Sequence, residues 1–453
     1  MRIGVRLDTT GMHAVLADGP RVVAATSSPH THGEPLTDLL RPLAGTGRHP
    51  ADPIDSVTWD ISDLLETSLA PPPTTPGAHL RPPASPVAAL RVVPRVPQSA
   101  ARATHPSPLV TALATWRGTA AGGHDLFGTE LAPLDVAAAR DCALRAQAAG
   151  LTTLAITATG AGACTDHEQT IAARLLEEFP HLRLCLSHEV GGLGLLEREA
   201  TTVVNAALFD VVADLIDRCE HAVGRVLPAA SCWFAGGDGG RIPGKRLRWL
   251  PVLGLAASTA TTLIGASAMA GRSGAHVALV SAHTITTGRT DDGLPHVEAD
   301  LPGNLDAQLT LPQAAVVVHQ TGPASTETWL HDRTEDPIDV VAVLDEAATV
   351  PAHHLLQALA HGTTLVRPET DLAALGAACT QPSAWLDLLV PVTAPEELDR
   401  IQSQAEQRAL TLVAADGPGT ERIVRSVASP VGYLSIYRLQ VRAAAHARAG
   451  AAR

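Results

Sequence analysis

The sequence predicts an α/β protein with a mostly parallel sheet, and three observations support this prediction. Short apolar runs alternate with longer segments in which apolar residues recur at helical spacing. The central run, 182–186, is followed by a glycine-rich turn and then by a helix pattern in which Val203, Ala207 and Val211 share one face. The chain also opens with two successive predicted hairpins. Its 453 residues are enough for two or three domains.

Charge and hydropathy exclude several classes of protein. The formal net charge is −13 and no basic run occurs, so we predict neither a nucleic-acid surface nor an anionic-membrane surface, since both need clustered Lys and Arg. Residues 1–8 form a strand pattern and lack the apolar core of a signal peptide. The longest apolar stretch, 253–270, is interrupted by Gly, Ser and Thr and is not predicted to span a membrane. We therefore predict a cytoplasmic protein.

Cysteine and histidine are scattered along the chain. The six cysteines contain no C-x-x-C pair, which is typical of a reduced intracellular protein without a zinc knuckle. The twenty histidines contain no H-x-x-x-H or H-E-x-x-H spacing. The spacing of these residues therefore does not predict a metal site.

The first elements are two hairpins. Residues 2–7, 12–16 and 21–25 are predicted strands, separated by a polar turn at 8–11 and a tight turn at Asp18-Gly19. Proteins of the actin and sugar-kinase superfamily begin in this way. In that superfamily the first turn wraps a nucleotide phosphate, and glycines let the backbone approach it closely.

A composition shift follows the first strands. Residues 26–60 are predicted to hold a helix and a strand, whereas 70–108 are proline-rich and are predicted to form an exposed loop or linker. Asp135 is the predicted N-cap of a helix over 136–149. A strand over 151–158 and a helix over 166–179 then lead to the central strand.

The loop after the central strand holds the first candidate site residues: His188, Glu189, Glu197 and Arg198. Loops at the carboxyl ends of strands in α/β sheets are the usual place for ligands. The alternative is that Glu197 and Arg198 only cap and solvate the start of a helix.

The residue pattern of this stretch, 187–208, resembles the central signature of the hydantoinase/oxoprolinase family: Ser-His-Glu, then Gly-Leu-Gly-Leu-Leu-Glu-Arg-Glu, then Thr and Asn-Ala-Ala. Later segments follow the same order, including the glycine turn 236–240 with Asp238, and the turn at 251–258 with Gly254. The resemblance covers nearly the whole chain. We divide the chain accordingly into an N-terminal hydantoinase/oxoprolinase-like domain, 1–186, and a hydantoinase A-like domain, 187–453.

The resemblance implies a duplicated actin/sugar-kinase-like (ribonuclease H-like) fold with two lobes and a cleft between them. It also implies ATP-dependent opening of a cyclic amide, such as 5-oxoproline or a hydantoin, with Mg and usually with a hydantoinase B-like second subunit. By this resemblance Asp238 joins the four loop residues named above as a candidate catalytic residue. A small-molecule substrate is expected.

The nucleotide turns depart from the family pattern, which is Gly-x-Asp-x-Gly-Gly-Thr-x-Thr-Asp at the first hairpin. Arg6 stands in place of the Asp, and Asp8 and Thr9 replace the two glycines. The second turn, over 281–284, likewise lacks the carboxylates and paired glycines. The residues still expected near a phosphate are Arg6, Asp8, Thr10, Ser281, Thr284, Gly239, Gly240 and Gly254.

Three interpretations follow from the sequence. The chain is an active ATP-dependent hydrolase with altered nucleotide handling, a catalytically inactive homologue acting as a structural or regulatory partner, or a small-ligand sensor without turnover. The position of the Asp8 carboxylate discriminates between them. An Asp8 that faces Ser281 or Asp238 at the mouth of the cleft would favour the enzyme.

Overall fold

The structure is a computed structural model. It describes residues 1–29, 35–46, 53–70, 83–95, 104–300, 305, 307–320, 337–359, 362–392, 394–413, 421–432 and 434–446.

The strands in chain order are β1 (Arg2–Leu7), β2 (Gly11–Asp18), β3 (Arg21–Pro29), β4 (Ser56–Asp60), β5 (Val87–Val93), β6 (Ala114–Ala121), β7 (Thr153–Ala158), β8 (Arg183–Leu186), β9 (Ser231–Ala235), β10 (Arg241–Pro243), β11 (Ala275–Val280), β12 (Thr284–Asp291), β13 (Leu294–Pro295), β14 (Val297–Glu298), β15 (Gln313–Ala314), β16 (Val316–Gln320), β17 (Val340–Val343), β18 (Thr364–Val366), β19 (Ser383–Pro391), β20 (Glu421–Pro430) and β21 (Ile436–His446).

The helices are α1 (Pro35–Thr46), α2 (Ser62–Leu69), α3 (Pro108–Leu113), α4 (Val136–Ala148), α5 (Asp166–Glu178), α6 (Leu195–Ala207), α7 (Phe209–Val226), α8 (Gly244–Trp249), α9 (Ala257–Met269), α10 (Thr349–Ala358), α11 (Leu372–Cys379) and α12 (Pro395–Leu412). Short 3₁₀ helices lie at Ser187–Glu189, Pro251–Gly254 and Glu346–Ala348.

Two of the sheets share one strand order. In the first sheet the order β3-β2-β1-β4-β9 continues to β10, and in the second sheet the strands β16, β12, β11, β17 and β18 take the corresponding places. In each sheet the first three strands pair antiparallel and the next two pair parallel. The α/β class is therefore confirmed, and one five-strand pattern occurs twice along the chain.

The third sheet is parallel throughout, in the order β6-β5-β7-β8. Its strand β5 corrects the prediction of an exposed loop over 70–108, because residues 87–93 are buried at every position. This apolar run is long enough to form a buried strand, although proline-rich segments flank it. Residues 71–82 and 96–103 of that stretch lie outside the described residues.

The C-terminal part forms an antiparallel sheet, β19-β21-β20, covered by α12. The predicted domain boundary at 186/187 stays a prediction. The first sheet takes strands from both sides of that boundary, since β9 pairs with β4.

Helix α11 packs at backbone distance against both α9 and β1. A Cβ at Gly376 would overlap the carbonyl oxygen of Thr261, and a Cβ at Gly4 would overlap that of Ala374. Glycine is required here because no side chain fits between the two backbones.

The segment Pro251–Met269, which includes α9, is long and apolar enough to cross a membrane by length and composition, but 61% of its most apolar window is buried inside the protein. It has the character of a core helix.

Candidate functional site

The first hairpin turn, between β1 and β2, is closed by its own side chain. The backbone N–H of Asp8 donates to the carbonyl of Gly11 (3.1 Å). In return, Oδ1 of Asp8 accepts the backbone N–H groups of Thr10 (2.6 Å) and Gly11 (2.8 Å), together with the Thr10 hydroxyl (2.7 Å). Burial opposes ionisation of Asp8, but these hydrogen bonds outweigh it and hold the pKa of the carboxyl below its usual range.

Arg6 lies beside this turn and is held by carboxylates. Its Nε and Nη2 donate to Oδ2 of Asp63 (3.1 and 2.8 Å), and its Nη1 donates to Oδ2 of Asp371 (3.0 Å). The second oxygen of Asp8 lies 3.9 Å from Nη2. Burial alone would lower the pKa of Arg6, but Asp371 and Asp63 raise it overall. The guanidinium is therefore already engaged by the protein.

The second hairpin turn, between β11 and β12, repeats this arrangement. The N–H of Ser281 donates to the carbonyl of Thr284 (2.8 Å). Oγ of Ser281 accepts the N–H groups of His283 (3.3 Å) and Thr284 (3.0 Å) and contacts the Thr284 hydroxyl (2.8 Å). The remaining N–H of the turn, on Ala282, donates to Oδ2 of Asp345 (3.1 Å).

Both turns therefore use backbone N–H groups internally. Phosphate-binding loops hold their ligand with a concavity of backbone N–H donors. Here the residue at the first position of each turn, Asp8 or Ser281, accepts the donors two and three residues further along. A phosphate would have to displace those bonds, and at Asp8 it would also meet a negative charge.

A cavity of about 770 Å³ opens beside Arg6. The first sheet contributes Arg6, His13, Thr26 and Ser27 to its polar wall, and the carboxylates of the wall come from segments that follow strands of the second sheet, at 345–346 and 369–371. Among the described lining residues, two guanidinium groups face four carboxylates: Arg6 and Arg367 against Asp345, Glu346, Glu369 and Asp371. This excess of negative charge disfavours a polyanion such as ATP with its phosphates.

His188 lies in the 3₁₀ turn after β8 and is bound to the buried carboxylate of Glu168. Nδ1 of His188 lies 2.7 Å from Oε2 of Glu168, and the His188 backbone N–H donates to the same oxygen (3.0 Å). The other oxygen, Oε1, accepts from the Ser187 hydroxyl (2.6 Å) and the Ala158 N–H (2.8 Å). Burial opposes protonation of His188, but its contact with Glu168 raises its pKa overall. Glu168 thus joins the carboxyl ends of β7 and β8.

Arg198 supports the same loop from within the protein. It is 1% exposed and donates to the carbonyls of Ala158 (2.7 Å), Leu193 (3.0 Å) and Gly192 (3.3 Å). Burial lowers its pKa. Arg198 therefore acts on the loop backbone as a positioning residue. Burial also raises the pKa of Glu189.

The glycine turn 236–240 is packed between elements. Oδ1 of Asp238 accepts the N–H of Gly240 (3.0 Å), and its second carboxylate oxygen lies 3.6 Å from Nε of the buried Arg442. A Cβ at Gly240 would overlap Ser383, and one at Gly239 would lie 2.5 Å from the Pro295 ring. Gly254 lies against Leu65 and Leu247. The predicted site residues Asp238, Gly239, Gly240 and Gly254 are therefore in contact with other residues of the protein.

The structure thus divides the predicted site residues into separate groups: Arg6, Asp8 and Thr10 at the first turn; Ser281 and Thr284 at the second; His188, Glu189, Glu197 and Arg198 after β8; and Asp238, Gly239 and Gly240 beside Arg442. The sequence analysis did not identify the carboxylates that hold these groups: Asp63, Glu168, Asp345 and Asp371. Their signal in the sequence is a carboxylate at the start of a helix, as for Asp63 and Asp371.

The part of the chain that the structure describes contains no group of three or more His, Cys, Asp or Glu side chains arranged to hold a metal ion. All six cysteines are free thiols.

Comparisons with known proteins give the fold. No protein-family model matches the chain, and no curated protein sequence matches it. The ATP-dependent caprolactamase from Pseudomonas jessenii superposes with a TM-score of 0.71 at 14% identity, over 99% of this chain and 88% of that chain. The nucleotide-free structure of acetone carboxylase, from work on ATP-dependent acetone carboxylation, superposes with a TM-score of 0.65 at 11% identity and the same coverage. At these identities the likeness shows a shared fold.

Proposed function

We propose that this chain is a hydantoinase/oxoprolinase-like protein that keeps the fold of ATP-dependent amide hydrolases but does not bind ATP phosphates itself, and that it acts as a partner of a catalytic subunit. We also propose that the protein has a two-lobed, actin/sugar-kinase-like fold, in which each of the two sheets with the five-strand pattern forms one lobe. The predicted hydantoinase B-like chain is the partner to test.

One observation carries the proposal: Asp8 and Ser281 accept the backbone N–H groups of their own hairpin turns. Phosphoryl transfer needs close backbone donors, a metal and carboxylates that hold the metal. Arg6, the cation nearest the first turn, is bound to Asp63 and Asp371. Asp8 itself is turned toward its own turn, Arg6 and His13, with His13 Nε2 3.7 Å from Oδ2. These contacts support the proposal that the turns do not hold Mg-ATP, and a fold kept without phosphate binding supports a role beside a catalytic subunit.

Isothermal calorimetry with Mg-ATP tests the proposal. The wild-type chain and a Thr10→Ala variant are expected to give no saturable heat at millimolar nucleotide. In the double variant Asp8→Gly/Ser281→Gly, the backbone N–H groups of both turns lose their internal acceptors. This variant therefore tests whether the turns gain phosphate binding once those donors are free. Saturable wild-type binding that Thr10→Ala abolishes would overturn the proposal.

The partner role needs its own experiment. The chain is co-expressed with a candidate hydantoinase B-like subunit, and the mass of the purified particles is measured. We expect a stable complex whose assembly is unaffected by Mg-ATP. Separate elution of the two chains at micromolar concentration would contradict the partner role.

A second candidate is an ATP-dependent cyclic-amide hydrolase, as in the caprolactamase of similar fold. It is favoured by the concentration of carboxylates near Arg6, where Asp8, Asp63 and Asp371 all lie within 4 Å of its guanidinium nitrogens. Carboxylates are the hard oxygen ligands that Mg²⁺ takes, but these three are not arranged to hold a metal ion and would have to move to do so. ATP-dependent opening of 5-oxoproline or a hydantoin by the chain together with its second subunit would establish this function. It would also require the Arg6 ion pairs to open.

A further inference from the structure

A cavity of about 240 Å³ lies between α2, the start of α9 and the segment that leads into β15 and β16. Its apolar wall includes Leu255, Leu309, Leu311 and Val316. Val318, which is 57% exposed, also lines the cavity, so the cavity reaches the surface of the protein. Because an apolar cavity of about 150 Å³ holds a benzene ring, this cavity has room for a six-membered ring with a polar substituent.

The charged groups on the wall of this cavity are acidic. Its described lining residues include two carboxylates, Asp63 and Glu66, and no Lys, Arg or His. Oδ2 of Asp63 is already engaged by Arg6, whose Nη2 lies 2.8 Å away. Glu66 forms no ion pair with the residues that the structure describes, so its negative charge is the one left without a compensating cation.

Glu66 uses one of its two oxygens. Oε1 accepts the backbone N–H of Ala256 (3.0 Å), whereas Oε2 makes no hydrogen bond to any described residue and is not fully buried. Since Glu66 lines the cavity, Oε2 is the oxygen that a ligand can reach. Burial raises the pKa of Glu66, and Asp63 and Asp60 add to the rise, although the bond from Ala256 opposes it. A bound cation would favour the ionised carboxylate.

We propose that this cavity binds a primary ammonium ion with a small apolar body, and that the ammonium group pairs with Oε2 of Glu66. The apolar body lies against Leu309 and Leu311. The ammonium group has two further donors, and the hydroxyl-bearing Thr259 lines the same wall. A bare metal ion would leave the apolar wall unused. None of the described lining residues belongs to either hairpin turn, and this inference does not depend on the proposed function.

Cyclohexylammonium, cyclohexanol and cyclohexanecarboxylate are matched probes, because they share one ring and differ in the charge of the polar group. Calorimetry and saturation-transfer NMR on the full chain at neutral pH would measure all three. Since a hydrogen bond between charged groups contributes more than a neutral one, we expect the ammonium ion to bind at least about tenfold more tightly than the alcohol. The carboxylate is expected to give no saturable binding. Equal affinities for the ammonium ion and the alcohol, saturable binding of the carboxylate, or no binding of the ammonium ion at millimolar concentration would overturn the proposal.

Two pairs of variants locate the site. Glu66→Gln keeps an acceptor for Ala256 and removes the charge, so it should lose the preference for the ammonium ion over the alcohol. Glu177→Gln, on an exposed carboxylate outside the cavity, should keep that preference. Thr259→Phe fills the cavity and is expected to abolish binding, whereas Thr411→Phe, on an exposed residue of α12, is expected to leave it unchanged. If Thr259→Phe fails to fold, Glu66→Gln still decides, since a preserved preference for the ammonium ion contradicts the assignment.

Discussion

Arg6 and Asp371 are 365 residues apart in the chain, and Nη1 of Arg6 lies 3.0 Å from Oδ2 of Asp371. The other oxygen of Asp371 accepts the N–H of Ala374 (2.7 Å) and so caps α11. One carboxylate therefore begins a helix and ties it to the first sheet. Because Arg6 is already paired with Asp371, its guanidinium is not available to an anionic ligand while the ion pair is formed.

Asp371→Ala is expected to lower the free energy of unfolding by about 1–3 kcal/mol, because it removes the helix cap and leaves part of the Arg6 charge unpaired. Asp371→Asn keeps a capping oxygen and should cost less. Urea unfolding measures both changes. Asp38→Ala, on an exposed carboxylate of α1 whose ion pair among the described residues is with the exposed Arg41, is the control, with an expected change within about 0.5 kcal/mol. Equal effects of Asp371→Ala and Asp38→Ala would contradict the role of Asp371.

Gly376→Ala and Gly224→Ala test the contact between α9 and α11. A Cβ at Gly376 would overlap the Thr261 carbonyl, whereas one at Gly224, inside α7, meets nothing within 4 Å. We expect Gly376→Ala to destabilise the protein by more than about 3 kcal/mol or to prevent folding, since backbone must move. Gly224→Ala should stabilise it by about 0.5–1 kcal/mol. Thermal unfolding distinguishes the two, and a well-folded Gly376→Ala protein with unchanged stability would show that the helices are less closely packed.

Local pattern predicted much of this fold. The two N-terminal hairpins and the helix capped by Asp135, whose Oδ1 accepts the N–H of Ala138 (2.9 Å), are confirmed. Strand β5 was missed because its neighbours are proline-rich, so composition averaged over 70–108 concealed seven buried residues. A shorter window would have found them.

The site was less predictable than the fold. The bonds from Asp8 and Ser281 to their own turns are local, and such bonds are a known property of Asp and Ser in turns. Sequence alone gave no reason to expect that Asp63 and Asp371 both bind Arg6, because those contacts depend on how α2 and α11 pack on β1. The absence of the paired glycines from the hairpin turns already indicated altered phosphate binding. The ion pairs of Arg6 with Asp63 and Asp371 add a second reason, because they engage the cation nearest the first turn.

Glu168→Gln tests the carboxylate that joins β7 and β8. Each oxygen of Glu168 accepts two hydrogen bonds, and the Gln amide nitrogen would instead present hydrogens to two donors. We expect a loss of about 2–4 kcal/mol in the free energy of unfolding, measured in urea. Glu177→Gln, on the exposed face of the same helix, is the control and should change it by less than about 0.5 kcal/mol. Comparable losses would show that Glu168 has no special structural role.

Asp60→Asn tests the buried carboxyl at the end of β4, which accepts from Ser62 (Oγ, 2.7 Å) and Thr261 (Oγ1, 2.8 Å). Burial raises the pKa of Asp60 above its usual value, and hydrogen bonds from Ser62 and Thr261 only partly oppose this. The folded state therefore keeps its proton longer than the unfolded state, whose pKa is about 3.9.

The sign of the pH dependence follows from this difference. Between the unfolded pKa and the higher folded pKa, the folded state binds more protons, so the Asp60 contribution to stability falls as pH rises. The Asn variant lacks this titration. Its free energy of unfolding minus that of the wild type is therefore expected to increase with pH across this window and to level off above the folded pKa. Urea unfolding at a series of pH values measures the difference, with Thr67→Ala on α2 as a non-titrating control whose difference stays flat. A difference that shrinks as pH rises would mean that the Asp60 carboxylate is stabilised in the fold, and the assigned direction of its pKa would be wrong.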